Sequence, residues 1–93
     1  MGYQKLAFFF YIMKLTKEYN LKIRSLGYNH TSYILPHLLD FLGSKGFELN
    51  YHIVNRKYTY TFKYKNTSYS SDYMYNSVSE ALEIGIKHCI KLL

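Results

Sequence analysis

The spacing of apolar residues along the chain is helical at first, strand-like in the middle and helical again at the end. Thr16 to Leu26 predicts a short first helix, since its first residue can cap it and Gly27 follows its end. Thr31 to Ser44 predicts a second helix, because leucines recur there every three or four residues. One of its first two residues is the expected cap, and Pro36 falls in the first turn, where a proline is tolerated.

Between Phe47 and Tyr75 apolar and polar residues alternate, which predicts three antiparallel strands. Asn55-Arg56 and Asn66 are the expected turns, and the third strand is expected to run from Thr67 to Tyr75. One face of such a sheet is apolar and the other polar. The side chains predicted to face the core are Phe47, Leu49, Tyr51, Ile53, Tyr58, Tyr60, Phe62, Tyr64, Tyr69, Tyr73 and Tyr75.

A capping box, Ser77-Val78-Ser79-Glu80, predicts the start of a last helix. The helix carries a broad apolar stripe to Leu93, and Gly85 within it suggests a close approach to the sheet. The predicted fold class is α+β: N-terminal helices, a three-stranded antiparallel meander, and a C-terminal helix packed on one sheet face. Residues 16–93 are predicted to form one α-α-β-β-β-α domain, preceded by an apolar extension over residues 1–15.

The N-terminal extension contains the longest apolar run, Leu6 to Met13. A membrane span needs about twenty such residues, so this run is too short to cross a bilayer. Left exposed, it would promote aggregation, and we expect it to pack on the domain, on a partner or on a second copy. A start of translation at Met13 is an alternative, since the regular pattern begins after that residue.

Twelve Lys and Arg residues against six Asp and Glu give the chain a net charge of +6. A positive field favours polyanionic partners, namely nucleic acid, an acidic protein face or anionic lipid. A basic surface that only keeps the protein soluble explains the same charge. The lone cysteine, Cys89, cannot form an internal disulfide, which favours a reducing compartment such as the cytosol.

Catalytic and metal-binding patterns are missing from the sequence. The four histidines and Cys89 do not pair at metal-ligand spacing, and Cys89 is best interpreted as a small buried apolar residue. Nucleophile motifs and glycine-rich phosphate loops are also absent from it. We therefore expect a non-enzymatic protein that needs no cofactor or metal.

The candidate binding residues lie mainly on the polar face of the second strand, which could contact phosphates or an acidic protein surface. It is not expected to read bases, because the aromatic residues point the other way. A second basic cluster lies on the first helix, where an ordinary exposed helix explains it equally well. The predicted binding residues are Arg56, Lys57, Thr59, Thr61, Lys63, Lys65, Lys22 and Arg24.

The order helix, three antiparallel strands, helix over Thr31 to Leu93 resembles that of double-stranded-RNA-binding domains. That family grips the RNA backbone with a lysine-rich start to its last helix. Here the same place holds the acidic segment Ser77 to Glu83, which would repel phosphates. The resemblance therefore implies a shared topology and not a shared function.

A second resemblance is to small uncharacterised proteins of Bacteroidota phages and mobile elements. It rests on Leu15-Thr16-Lys17-Glu18 through Leu26-Gly27-Tyr28, on the leucine-rich second helix, and on the segment from Ser77 to Lys87. It implies an accessory role, such as inhibition of a host protein or nucleoprotein, including an RNA-guided nuclease (an anti-CRISPR). Two alternatives are direct, sequence-independent RNA or DNA binding and a virion component that assembles through Phe8 to Tyr11. The oligomeric state stays open.

Overall fold

A three-stranded antiparallel sheet carries helices on one face in the computed structural model, which describes residues 12–93. The strands lie in the order β1-β2-β3, and the last helix contacts both β1 and β2. The α+β prediction is confirmed. The elements are α1 (Lys17–Ser25), α2 (Leu35–Ser44), β1 (Glu48–Val54), β2 (Lys57–Tyr64), β3 (Thr67–Ser70) and α3 (Val78–Leu92).

Helix α1 begins and ends as its sequence predicts. The Thr16 side chain accepts a hydrogen bond from the Tyr19 backbone N–H, which satisfies one of the free donors at the helix start. After the helix, Gly27 takes a φ of 107°, a conformation that costs glycine little. Ile23 turns into the core, whereas Leu21 stays 60% exposed.

Helix α2 begins at Leu35, later than the prediction from Thr31. Its N-cap residue, Ile34, is extended and forms an antiparallel bridge with Ile12. The residues predicted to cap the helix are therefore part of a loop, and the Tyr28 hydroxyl donates a 2.5 Å hydrogen bond to the Ser32 carbonyl in that loop. A tertiary contact thus replaces the local cap that the sequence suggests.

Residues 12–15 pack on the domain. The Met13 N–H donates to the Tyr33 carbonyl at 2.8 Å, and the Met13 side chain is buried. Leu15 packs against the same core. The rest of the predicted extension, residues 1–11, lies outside the described residues, and so does most of the run from Leu6 to Met13.

Two tight turns fix the register of the sheet. Asn55 and Arg56 join β1 to β2, and Lys65 and Asn66 join β2 to β3; all four have φ between 50° and 63°. Positive φ at both central residues is the signature of type I′ turns, whose twist matches that of the flanking strands. The resulting register pairs Val54 with Lys57, and it continues without a break along the whole of β1.

The core lies between the apolar sheet face and α3. A Cβ atom at Gly85 would come within 3.0 Å of Cγ of Tyr60 and 3.1 Å of Cδ1 of Leu49, so the helix approaches the sheet closely, as predicted. On the next turn His88 packs edge-on against Phe62. The largest fully buried side chains among residues 12–93 are Met13, Ile23, Leu35, Leu38, Leu42, Phe62, Ile86, Cys89 and Ile90.

Three of the side chains predicted to face the core are exposed. Tyr51 and Ile53 lie on the expected face of β1, but they are 45% and 63% exposed because the helices leave this corner of the sheet open. Strand β3 ends at Ser70 instead of Tyr75. The chain then loops out, which leaves Tyr73 exposed, and rejoins the sheet where Tyr75 bridges Tyr58.

Candidate binding face of the sheet

The sheet face opposite the helices is polar. Side chains directly across an antiparallel pair point to the same side, so the register assigns each residue to one face. Within residues 12–93, no helix packs on this side. The polar sheet face consists of Glu48, Asn50, His52, Val54, Lys57, Thr59, Thr61, Lys63, Ser68 and Ser70.

The cations of the polar sheet face lie near its two ends. Lys57 and Lys63 are six residues apart on β2, which separates their backbones by about 20 Å. Lys57 Nζ donates to Asn76 Oδ1 at 2.5 Å, while Lys63 lies directly across from Glu48. The face is therefore positive at one end and mixed in charge at the other, with a neutral centre.

The mixed-charge end of the polar sheet face contains a shallow depression of about 440 Å³. Hydroxyls, an amide, a carboxylate and an ammonium group surround it, so it offers both hydrogen-bond donors and acceptors. Its lining residues are Glu48, Asn50, Thr61, Phe62, Lys63, Ser68, Tyr69 and Ser70. Four of these belong to the polar sheet face but were not among the predicted binding residues: Glu48, Asn50, Ser68 and Ser70. The two-residue turn at Asn55-Arg56 is the signal that could have found the first two, because it fixes which β1 side chains lie beside β2.

His52 and Thr61 form the one hydrogen bond between two side chains of the polar sheet face that the described residues contain. His52 Nε2 lies 2.8 Å from Thr61 Oγ1. A base beside a hydroxyl is one part of a nucleophilic site, but such sites also need a third group that orients the base. No side chain of residues 12–93 makes a hydrogen bond to the other ring nitrogen of His52.

The two turns add cations beyond the strand itself. Arg56 lies at one end of β2 and Lys65 at the other, where the Lys65 ammonium lies 5.2 Å from the Tyr64 ring centre. Both residues occupy left-handed backbone that glycine or asparagine adopts more cheaply. A long cationic side chain is thus held in both turns at some cost in stability.

Lys22 and Arg24 do not belong to the same surface as the other predicted residues. Both lie on α1, which contacts α3 on the helix side of the sheet. Arg24 donates to the Tyr33 hydroxyl at 3.2 Å, and its guanidinium lies 5.2 Å from the ring centres of Tyr28 and Tyr33. Lys22 donates to the Lys91 carbonyl at 3.3 Å. These contacts tie α1 to its neighbours, so the eight predicted residues form two separate groups.

Two neighbouring titratable groups of α3, His88 and Cys89, are held in apolar surroundings. Burial lowers the pKa of His88, and the nearby positive charge of Lys91 lowers it further. Burial raises the pKa of the Cys89 thiol to about 12, which makes this thiol a poor nucleophile.

His30 and His37 stack with ring centres 3.7 Å apart, and Nδ1 of His37 is buried without a hydrogen-bond partner. Parallel rings do not aim two nitrogens at one metal ion.

Neither a candidate metal site nor a candidate membrane-spanning helix is found among residues 12–93. No group of three or more His, Cys, Asp or Glu side chains in this range could hold a metal ion. None of the helices in the same range has the length and apolar character needed to cross a membrane.

No protein-family model, curated protein or solved structure matches this chain.

Proposed function

We propose that this chain is a non-enzymatic binding protein whose polar sheet face docks on an acidic surface of a partner protein. The observation that carries the proposal is the open, hydrogen-bonding face with lysines near both ends. An acidic protein surface complements such a face electrostatically and gives fast, salt-dependent association. The depression at the mixed-charge end then supplies the hydrogen bonds that fix the orientation of the partner.

The strained turns support a role for the cations in binding. Glycine would satisfy the backbone at either turn, yet the chain has Arg56 and Lys65 there. Unfavourable backbone conformations tend to persist where the side chain has a function. Arg56 and Lys65 extend the positive charge of the polar sheet face to both ends of β2.

Two features favour a protein partner over bare nucleic acid. The polar sheet face contains no Phe or Tyr side chain and offers a base only the His52 ring to stack on, whereas stacking on aromatic rings is a major source of single-strand affinity. Glu48 lies across from Lys63, so this end presents both charges, which suits a protein surface of mixed charge better than a uniformly anionic phosphate backbone. An acidic protein within a host nucleoprotein, such as an RNA-guided nuclease, is the specific partner class that we propose.

The test is capture of partners from a Bacteroidota lysate with three forms of the tagged full chain. One is the unchanged chain, the second carries Lys57→Glu and Lys63→Glu, and the control carries Lys14→Glu and Lys17→Glu. Both variants change the net charge equally, but the control residues are exposed outside the sheet. We expect an acidic protein to be captured at near-equal stoichiometry by the first and third forms only, and to dissociate as salt rises.

Two outcomes would contradict the proposal. Equal capture by the two variants would place binding outside the polar sheet face. Binding of a labelled bare RNA at low salt, lost in Lys57→Glu with Lys63→Glu but not in the control, would favour direct nucleic-acid binding instead. Circular dichroism of all three forms must first confirm that each is folded.

A further inference from the structure

The outer edge of β1 offers backbone hydrogen-bonding groups. Tyr58 exchanges two backbone hydrogen bonds with Tyr75, at 2.8 and 2.6 Å, so the backbone groups of Tyr58 face the β3 side. The backbone groups of successive residues point alternately to the two sides of a strand. The N–H and C=O groups of the odd-numbered residues of β2 therefore point towards β1. Their partners in β1 are the even-numbered residues, as the register shows. The N–H and C=O groups of Leu49, Tyr51 and Ile53 therefore point outward.

No strand among residues 12–93 pairs with this outer edge, since β1 stands at the end of the sheet. No backbone hydrogen bond outside the helices and strands reaches Leu49, Tyr51 or Ile53 within the same range. The edge is also apolar on the helix side, where Tyr51 is 45% and Ile53 is 63% exposed.

The two edges of the sheet differ in how they are protected. Natural edge strands avoid unwanted pairing by being short, by bulging, or by carrying lysine or proline. Strand β3 is four residues long and gives way to the loop before Tyr75. Strand β1 is seven residues long, pairs without a bulge, and has no Lys, Arg or Pro. The outer edge of β1 therefore lacks the features that protect an edge strand from pairing with another strand.

We propose that the occupant of this edge is a second copy of the chain, paired antiparallel through β1 about a two-fold axis at Tyr51. This register pairs all seven residues, with Leu49 across from the partner's Ile53 and Glu48 across from the partner's Val54. The outward groups of Leu49, Tyr51 and Ile53 then exchange hydrogen bonds with their counterparts. Glu48 is the sole charged residue of the strand, and this register does not place it across from the partner's Glu48, so the pairing brings no like charges together.

The pairing also covers the exposed corner of each sheet. Helix α3 lies against Leu49 in one half of β1, as the contact at Gly85 shows, while Ile53 is bare in the other half. Antiparallel pairing places the bare half of one copy beside the covered half of the other. Ile53 gains an apolar neighbour in the partner's Leu49, and the two Tyr51 rings meet at the axis. The interface is self-complementary, as a two-fold dimer requires.

The dimer would join the two polar sheet faces into one six-stranded surface. Asn50, which lines the depression, would lie beside the partner's His52 across the seam. The geometry of the β1 edge is independent of which partner the polar sheet face binds. The consequence of the pairing is that a face of twice the width is available for docking.

The first experiment measures the mass of the full chain by sedimentation equilibrium over a range of concentrations. We expect a monomer–dimer equilibrium that Ile53→Lys weakens at least roughly tenfold, since a lysine on an edge strand opposes pairing. Leu21→Lys is the matched control, because Leu21 is 60% exposed on α1 and should leave the equilibrium unchanged. A monomer at every concentration, or equal weakening by both substitutions, would overturn the proposal.

A cross-link locates the axis. Cys89 is fully buried and its pKa is about 12, so an added exposed cysteine is the reactive thiol. Tyr51→Cys should form a covalent dimer rapidly with a short bismaleimide, while Tyr73→Cys, exposed on the loop after β3, should not. Equal cross-linking at both positions would overturn the proposed register. A monomer whose β1 edge amides resist hydrogen exchange would show that this chain covers its own edge, and would also overturn it.

Discussion

Gly85 and Gly43 both lie within helices, but we expect opposite effects when each is changed to alanine. A Cβ atom at Gly85 would be 3.0 Å from Tyr60 and 3.1 Å from Leu49, whereas Gly43 has no atom within 4 Å of the same position. Overpacking costs about 1–3 kcal/mol, and the gain in helix propensity is about 1 kcal/mol. Gly43→Ala should therefore stabilise the protein and Gly85→Ala should destabilise it, as the midpoints of urea unfolding will show.

A stabilising effect of Gly85→Ala would contradict the close packing of α3 on the sheet. Gly43→Ala is the internal control, because it reports the propensity gain without the contact. The difference between the two free energies of unfolding thus isolates the packing term, which we expect to be about 1–3 kcal/mol.

His88 gives the stability of the fold a dependence on pH. Its pKa is lowered, chiefly by burial and also by Lys91, so the folded state holds the neutral ring. The Tyr60 hydroxyl lies 2.8 Å from Nδ1, which can accept its proton only while the ring is neutral. Since the unfolded chain binds the proton more readily, the contribution of His88 is fully present above its ordinary pKa of about 6.5 and is lost as the pH falls below it.

The expected result is a loss of stability as the pH falls below about 6.5, which His88→Gln reduces, because glutamine keeps an acceptor and does not titrate in this range. The measurement is the urea midpoint at several pH values. His52→Gln, on the exposed polar sheet face, is the matched control. An unchanged pH slope in His88→Gln would contradict the assignment.

The two type I′ turns allow a prediction at the scale of the hairpins. Arg56 and Lys65 have φ values of 63° and 52°, which cost a residue with a side chain about 1 kcal/mol more than glycine. Arg56→Gly should therefore raise the melting temperature by roughly 5 °C. Lys65→Gly should raise it less, because it removes the cation–π contact with Tyr64.

Calorimetry of the two variants measures these shifts, and Lys63→Gly is the contrasting control. Glycine within a strand interior weakens it, so this third substitution should lower the melting temperature. A destabilising Arg56→Gly would mean that the arginine side chain makes contacts that outweigh its backbone cost. Under the proposed function, Arg56→Gly should also weaken partner binding even as it stabilises the fold.

The elements with strong local signals were predictable from the sequence. Thr16 and Ser77 cap α1 and α3, because each side chain can accept from a backbone N–H three residues along the chain. The alternation of polar and apolar residues along β2 placed Lys57, Thr59, Thr61 and Lys63 on the polar face, because successive side chains of a strand point to opposite faces.

The sequence-based predictions were wrong or incomplete where contacts between residues far apart in the chain determine the local structure. Thr31 was a plausible helix cap, but the pairing of Ile34 with Ile12 keeps the chain extended up to α2. Ile53 was placed on the correct face, yet its exposure depends on where α3 crosses the sheet. The sequence predicted Lys22 and Arg24 as a second basic cluster on the first helix, but it does not reveal that this cluster lies on the helix side of the sheet, away from the strand lysines.

At the scale of the whole molecule, the open edge of β1 should make thermal stability depend on protein concentration. A dimer that dissociates on unfolding is stabilised by mass action, so its melting temperature rises with concentration, whereas that of a monomer does not. For two chains of this length the expected rise is roughly 4 °C for each tenfold increase in concentration. The small core of a 93-residue chain makes burial of Tyr51 and Ile53 a sizeable addition.

Scanning calorimetry over a hundredfold range of concentration measures this dependence. Ile53→Lys should abolish the rise, while Leu21→Lys should keep it, since only the first residue lies at the proposed interface. Lys57→Glu with Lys63→Glu should also keep it, because those side chains face away from the apolar corner. This last variant separates the two proposals: it should lose partner binding while the dimer persists. A concentration-independent melting temperature in the unchanged chain would rule out the dimer and leave the binding role of the polar sheet face to be judged on its own test.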